Sequence, residues 1–216
     1  MQLLDSTWQY FLTHQSEFWA KTAVHLRLSA AALLIGIVVG VTLGVLAARN
    51  KAASPWITNV IGALRSIPSL AIMAVMLPLI GIGFLPALIA LAILAIPPIL
   101  INTQAGFASV DPAIVEAARG MGMASLNIAW QVELPLALPV LIAGFRTAAV
   151  EVLASATVGA IIGAGGLGEY IFAGLSLGPA YIYLMLVGAI TIAFLTLTAE
   201  VTLNGIEALA RRRYYR

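Results

Sequence analysis

A chain of 216 residues that is 62% hydrophobic and only 9% charged, with a mean hydropathy of +1.03, lies far from the roughly 25% charge of soluble domains and reads as a membrane protein. The formal net charge of +2 is too small to point to nucleic acid, and the lack of cysteine excludes disulfides and thiolate metal sites. The length suits one compact helical bundle.

Residues 1–25 mix Trp8, Tyr10, Phe11, Phe18 and Trp19 with Asp5, His14, Glu17 and Lys21. They lack the basic start, continuous apolar run and small-residue cleavage site of a signal peptide. The pattern predicts an amphipathic helix lying at the membrane surface, where aromatic rings favour the headgroup level. His14 and His25 have few carboxylates near them and read as interfacial or packing histidines, so no metal site is expected.

A bilayer core of roughly 30 Å needs about 20 apolar residues per helix, which cuts the chain into spans. The first covers about 26–48, with Gly36, Gly40 and Gly44 at every fourth position, a row that lets a second helix approach closely. Arg49, Asn50 and Lys51 end it. Residues 56–66 are expected along the interface, with Arg65 as a cytosolic anchor, before Pro68 opens the deeper part of a second span over 67–82. Gly81-Ile82-Gly83 demands a tight hairpin into a third span over 84–103. Pro97 and Pro98 interrupt that span and predict a kink facing the pathway.

The next stretch is polar and must face water or a protein partner. Asp111 is placed to cap a helix whose first residue, Pro112, has no amide to leave unpaired. The small pair Ala117 and Ala118 permits close approach of another surface, and Gly120 and Gly122 suit a left-handed helix end. Ser125 is the expected cap of a second short helix, which Pro135 closes or kinks. A hairpin over 111–135 results, carrying Glu116, Arg119 and Glu133.

A fourth span over 136–162 holds Arg146 and Glu151, each costing roughly 2.5 to 3.5 kcal/mol at mid-bilayer. They lie about 140° apart around a helix, so they find partners on neighbouring helices or across a dimer axis. Two roles stay open for them: lining or gating a route, or ordering the bundle as buried ion pairs. The run Gly163, Gly165, Gly166, Gly168 and Glu169 makes an outer loop without the lysine and hydroxyl of a phosphate cradle. A short re-entrant helix over 169–176 and a fifth span over 181–203 follow, with Glu200 near the interface. The tail, 206–216, is basic through Arg211, Arg212, Arg213 and Arg216. With the C-terminus in the cytoplasm and the N-terminus outside, Arg49, Lys51, Arg119 and these four arginines fall inside, against Lys21 and Arg27 outside; the bias of seven to two obeys the positive-inside rule.

Glu116-Ala117-Ala118, three residues, Gly122, nine residues, Val132, one residue, then Leu134-Pro135 resembles the EAA loop in the membrane subunits of binding-protein-dependent ABC importers. Val132 stands where isoleucine is commoner. The resemblance implies an all-α membrane protein of the MetI-like fold, with five transmembrane helices and a cytoplasmic coupling helix. In that family Asp111, Glu116, Ala117, Ala118, Arg119, Gly120, Gly122, Leu134 and Pro135 belong to the loop that docks on a separate ATPase. Two such ATPases would bind ATP and magnesium, so this chain would bind no cofactor and would not itself be an enzyme. A second permease copy or paralogue, an extracytoplasmic solute-binding protein and residence in the inner or plasma membrane are implied as well.

Ile67-Pro68-Ser69-Leu70, Leu79 to Gly83, Asn102-Thr103, Asp111-Pro112, Glu116 to Met123 and Ile162 to Gly168 resemble the osmoprotectant branch, whose cargo is glycine betaine, carnitine, choline or proline-type solutes. Methionine or other amino-acid permeases share the core and parts of these motifs. Two classes without that motor stand as rivals: a secondary transporter, which would normally show internal repeats, and a membrane subunit with no transport role.

Overall fold

The computed structural model describes residues 2–50 and 52–214, and every described element is helical. Lys51 and Arg216, both counted in the charge bias, lie outside the described residues. In chain order the helices are α1 (Gln2–Thr13), α2 (Gln15–Arg49), α3 (Ser54–Leu64), α4 (Ser69–Ile80), α5 (Phe84–Ala108), α6 (Pro112–Gly120), α7 (Ser125–Ile128), α8 (Leu134–Ser155), α9 (Gly168–Leu177) and α10 (Ile182–Tyr214). A π turn, Ala129–Glu133, leads into α8, and 3₁₀ turns follow α8 and precede α10. Four helical runs are long and apolar enough to cross a membrane: Gln15–Arg49, Phe84–Ala108, Ser125–Ile162 and Pro179–Arg213. A fifth crossing is α3 with α4, if the two are taken as one span bent by 87°.

The glycine row of α2 lies against α5. A Cβ on Gly36 would sit 2.5 Å from Cβ of Ala95, one on Gly40 2.9 Å from Cβ of Ile99, and one on Gly44 2.6 Å from Cβ of Thr103. Small residues at a four-residue repeat remove one ridge of side chains, so the two helix backbones approach closely. α8 closes on the other side of α5, where Gly144 fits against Asn102 and the carbonyl of Pro98.

Pro97 and Pro98 do not interrupt their helix. α5 runs on through both, and both are among the fully buried residues. They therefore face the chain's own core and not a route. The amide of Asn102 donates to the Pro98 carbonyl at 2.8 Å, and close neighbours on both sides support the backbone where amides are missing.

The expected surface segment 1–25 is divided at His14. From Gln15 onward it is the start of α2, with Phe18, Thr22 and His25 buried. Lys21 pairs with Glu169, and Nε2 of His25 lies 3.0 Å from the Leu153 carbonyl, so these turns are drawn against α9 and α8. His14 stays exposed, stacked on Tyr10 with ring centroids 4.1 Å apart.

Residues 56–66 form most of α3 and the bend after it, where α3 stands at 87° to α4. α3 packs on α5, where the Thr58 hydroxyl donates to Gln104 at 2.7 Å and the Gln104 amide donates to Ser54 at 2.7 Å. Arg65, read from the sequence as a cytosolic anchor, follows α3 in the bend before α4. Its guanidinium reaches Glu151, 17 positions along α8 from Leu134 and so about 25 Å from the helix end that carries the hairpin.

At the C-terminus no separate tail begins at 206. α10 continues to Tyr214, Glu207 is buried, and Arg211 pairs with it one turn on at 2.9 Å.

Candidate coupling hairpin and charge pairs

The polar hairpin is built as local chemistry dictates at its start. Oδ1 of Asp111 accepts the amide of Ala113 at 2.8 Å and Pro112 opens α6, so one free amide is satisfied and another never exists. At the other end Met121 donates to Ala117 at 3.0 Å, Gly122 to Arg119 at 3.0 Å and Met123 to Ala118 at 3.3 Å. Gly122 has φ +83°, a conformation that side chains rarely tolerate. Gly120 was expected to share that role; it is instead the last helical residue of α6.

Three further expectations are corrected. Ala118 is 2% exposed, so it packs within the hairpin and is not offered to another surface. Ala124, not Ser125, occupies the cap position of α7, and Ser125 makes no capping bond. Pro135 neither ends nor closes the helix: it sits in the first turn of α8 directly after the π turn. There, inside one helical run from Ser125 to Ile162, its missing amide interrupts the regular ladder, and the turn before it takes the wider π form, in line with the kink expected of a proline.

What remains outward is a mixed face. Ile114 is 44% and Met121 77% exposed, and Glu116, Ala117 and Arg119 are exposed beside them. Neither Glu116 nor Arg119 has an ion-pair partner among the described residues. A capped helix ends here in a charged and apolar surface that the described residues leave uncovered.

The hairpin is fastened to the bundle through a contact that the sequence reading missed. Arg49, at the end of α2, forks onto the buried carboxylate of Glu133, with Nη1 donating to Oε1 at 3.1 Å and Nη2 donating to Oε2. Its guanidinium also stands 5.8 Å from the ring centre of Phe107. A charge at the end of one apolar helix and an opposite charge at the start of another were the available signal. Leu134 and Trp130 border an apolar groove of ≈ 460 Å³ beside this fork, together with Val41 and Leu46 of α2.

A family model described as "Binding-protein-dependent transport system inner membrane component" matches residues 40–212, which include the whole hairpin. This chain belongs to that family. A carnitine transport permease protein (OpuCB) of Listeria monocytogenes is 40% identical over 94% of this chain and 93% of its own. A choline transport system permease protein (OpuBB) of Bacillus subtilis is 38% identical over 92% and 91%. An osmoprotectant import permease protein (OsmW) of Salmonella typhimurium is 37% identical over 94% and 96%. Among solved structures, an inward-facing methionine ABC transporter (MetNI) superposes with a TM-score of 0.79 at 22% identity, covering 89% of this chain and 95% of that one. That likeness fixes the MetI-like fold.

The two charges on α8 of this inner-membrane component go to different neighbours and do not meet. Arg146 binds Glu200 and lies 3.5 Å from Glu207, both on α10, so Glu200 pairs across to α8. Glu151 meets Arg65, with N and O 3.5 Å apart. At the far end of α8 from the hairpin, Gly163, Gly165 and Gly166 have φ of +77°, +81° and +91° and turn the chain into α9. Gly168 opens α9 tightly against the Thr157 carbonyl, where a side chain would collide. Glu169 follows and binds Lys21, whose ammonium lies 5.0 Å from the ring centre of Tyr170. The outer loop is therefore a packed corner that joins α2, α8 and α9.

Proposed function

We propose that this chain is the membrane-spanning permease of an ATP-driven importer for osmoprotectants of the glycine betaine, carnitine and choline type. The observation that carries the proposal is the uncovered face of α6, which presents Glu116, Ala117 and Arg119 on a capped helix. A separate cytoplasmic ATPase would dock there, one for each of two permease copies, identical or paralogous. A solute-binding protein would deliver cargo on the opposite side. Relatives 33–40% identical along nearly their whole length carry osmoprotectant names, which supports the cargo class.

In this reading the N-terminus is outside and the C-terminus cytoplasmic, supported by the basic residues near the hairpin and on the last turns of α10. The bent pair α3 and α4 then crosses as one broken span. Motion of the ATPases would pull α6, and the fork between Arg49 and Glu133 would pass that motion to α2 and α8 together. ATP-dependent uptake into proteoliposomes, with the ATPase and candidate receptors, tests the proposal. Uptake of methionine or another amino acid and of no quaternary ammonium solute would overturn the cargo assignment. Uptake without an ATPase would overturn the class.

Arg146 is assigned to ordering the bundle, because its guanidinium faces two carboxylates of α10 and one of them, Glu207, is buried. Arg146→Ala would strip a buried carboxylate of one cation. It is expected to lower stability by about 3 kcal/mol, less in so far as Arg211 shares the charge. The check compares the apparent melting temperature of the purified variant with its uptake per folded molecule. A fall in uptake with unchanged stability would return Arg146 to the route.

A further inference from the structure

Among the charge pairs of the described residues, that of Arg65 and Glu151 stands apart. Arg49 forks onto Glu133, and Arg146 is shared by two carboxylates. Arg65 makes one long contact of 3.5 Å, with side chains 47% and 31% exposed. Charge-assisted hydrogen bonds between such groups prefer about 2.7 to 2.9 Å. Most guanidinium donors and the second carboxylate oxygen are therefore left for something else.

The pair sits where α3 and α4 meet at 87°. Arg65 and Ser66 lie in the break itself, and the side chains of Ser66 and Ser69 make no hydrogen bond among the described residues. α4 starts there, and the positive end of its backbone dipole adds to the charge of Arg65. Broken helices in membrane transporters characteristically turn such ends toward a charged substrate. Half-exposed charges far along an apolar helix cannot rest against hydrocarbon, so this face meets water, polar cargo or the second permease copy.

We propose that Arg65 and Glu151 form a cargo station on the translocation route, an inference that rests on the osmoprotectant reading above. Arg65, with Ser66 and Ser69, receives the carboxylate of a zwitterionic solute such as a betaine. Glu151 faces its quaternary ammonium group. In the resting chain each residue serves as the other's loose counter-ion, and a solute carrying both charges one methylene apart replaces that contact with two closer ones. No aromatic cage is required, because the opposite charge of Glu151 supplies the attraction that a cage would give.

The test is ATP-driven uptake of glycine betaine and of choline, which lacks the carboxylate, by the complete reconstituted importer. Arg65→Gln is expected to lower glycine betaine uptake by about tenfold relative to choline, the effect of losing one charge-assisted hydrogen bond. Glu151→Gln is expected to lower both, and the variant carrying both changes to be the most impaired. ATPase stimulation by the loaded receptor should remain, which separates loss of the station from loss of coupling. If the receptor admits one solute only, binding of both solutes to the permease and ATPase complex in nanodiscs gives the same ratio.

Equal losses for the two solutes in Arg65→Gln would overturn the station. So would recovery in the double variant, since a purely structural pair costs little once both partners are neutral. Failure of the unaltered importer to carry or bind either solute is a different result: it overturns the osmoprotectant reading, and the station with it.

Discussion

Glu116→Lys and Gly122→Pro are each expected to abolish ATP-driven uptake while leaving the protein folded in the membrane. Glu116 is exposed and has no ion-pair partner among the described residues, so reversing its charge removes no ion pair seen there. Its effect must arise at a surface outside the chain, where a like charge placed against a buried polar contact typically costs several kcal/mol. Gly122 acts by a different physical path. Its φ of +83° is closed to proline, which is fixed near −65°, and its amide donates to Arg119 at 3.0 Å. Proline there loses that bond and redirects the chain between α6 and α7, yet no side chain lies within 4 Å of the position to transmit the damage inward. ATPase activity in the assembled complex, measured with uptake in the same vesicles, checks both. The expected signature is hydrolysis without transport, or loss of ATPase copurification, with normal amounts of permease in the membrane. Normal uptake in either variant would refute α6 as the docking helix.

Gly44→Leu should be the most damaging single change within the bundle. Its first carbon alone would stand 2.6 Å from Cβ of Thr103 and 2.8 Å from the Leu100 carbonyl, and a backbone oxygen cannot turn aside as a side chain can. α2 must then separate from α5, which loosens the neighbouring contacts of Gly40 and Gly36 along the same face. Overpacking in a dense interior costs about 1 to 3 kcal/mol where neighbours can shift, and here the upper end or beyond is expected. Gly205→Leu is the control, since nothing stands within 4 Å of its Cβ position on α10. A fall of apparent melting temperature in Gly44→Leu but not in Gly205→Leu, measured on protein in detergent, is the expected outcome. Equal stability of the two would mean that α2 and α5 do not meet as described.

Several elements were legible because the physics that sets them is local. Asp111-Pro112 caps a helix wherever it occurs before one, and a left-handed turn after α6 needs a glycine at Gly122. The EAA spacing carried the resemblance to the family before any coordinates, because its residue types and their intervals can be read along the chain. The glycine row of α2 announced a close partner through its period, although not which helix that partner would be.

Other readings failed where a distant part of the chain decided. Pro97 and Pro98 suggest a break by their chemistry alone, but α2 and α8 press on α5 and hold the helix through them. Nothing local to Arg65, beside a proline-marked boundary, announces that Glu151, 86 positions later, is brought to it. Glu133 looked like one more polar residue of a solvent-facing loop, and Arg49 like an ordinary helix end; each takes its role from the other. Ala118 likewise turned inward because the hairpin folds back on itself.

The sequence by itself determined that this chain is a membrane component of its transport family with a polar, capped hairpin between apolar helices, because hydropathy, caps and turn residues act over a few neighbours and leave a readable period. The tertiary structure alone decided which charge answers which, that the prolines are core, and that Arg65 stays half-exposed beside Glu151 at the bend between α3 and α4. Pairings between residues separated by 50 to 150 positions are set by how whole helices pack, and no local preference encodes them.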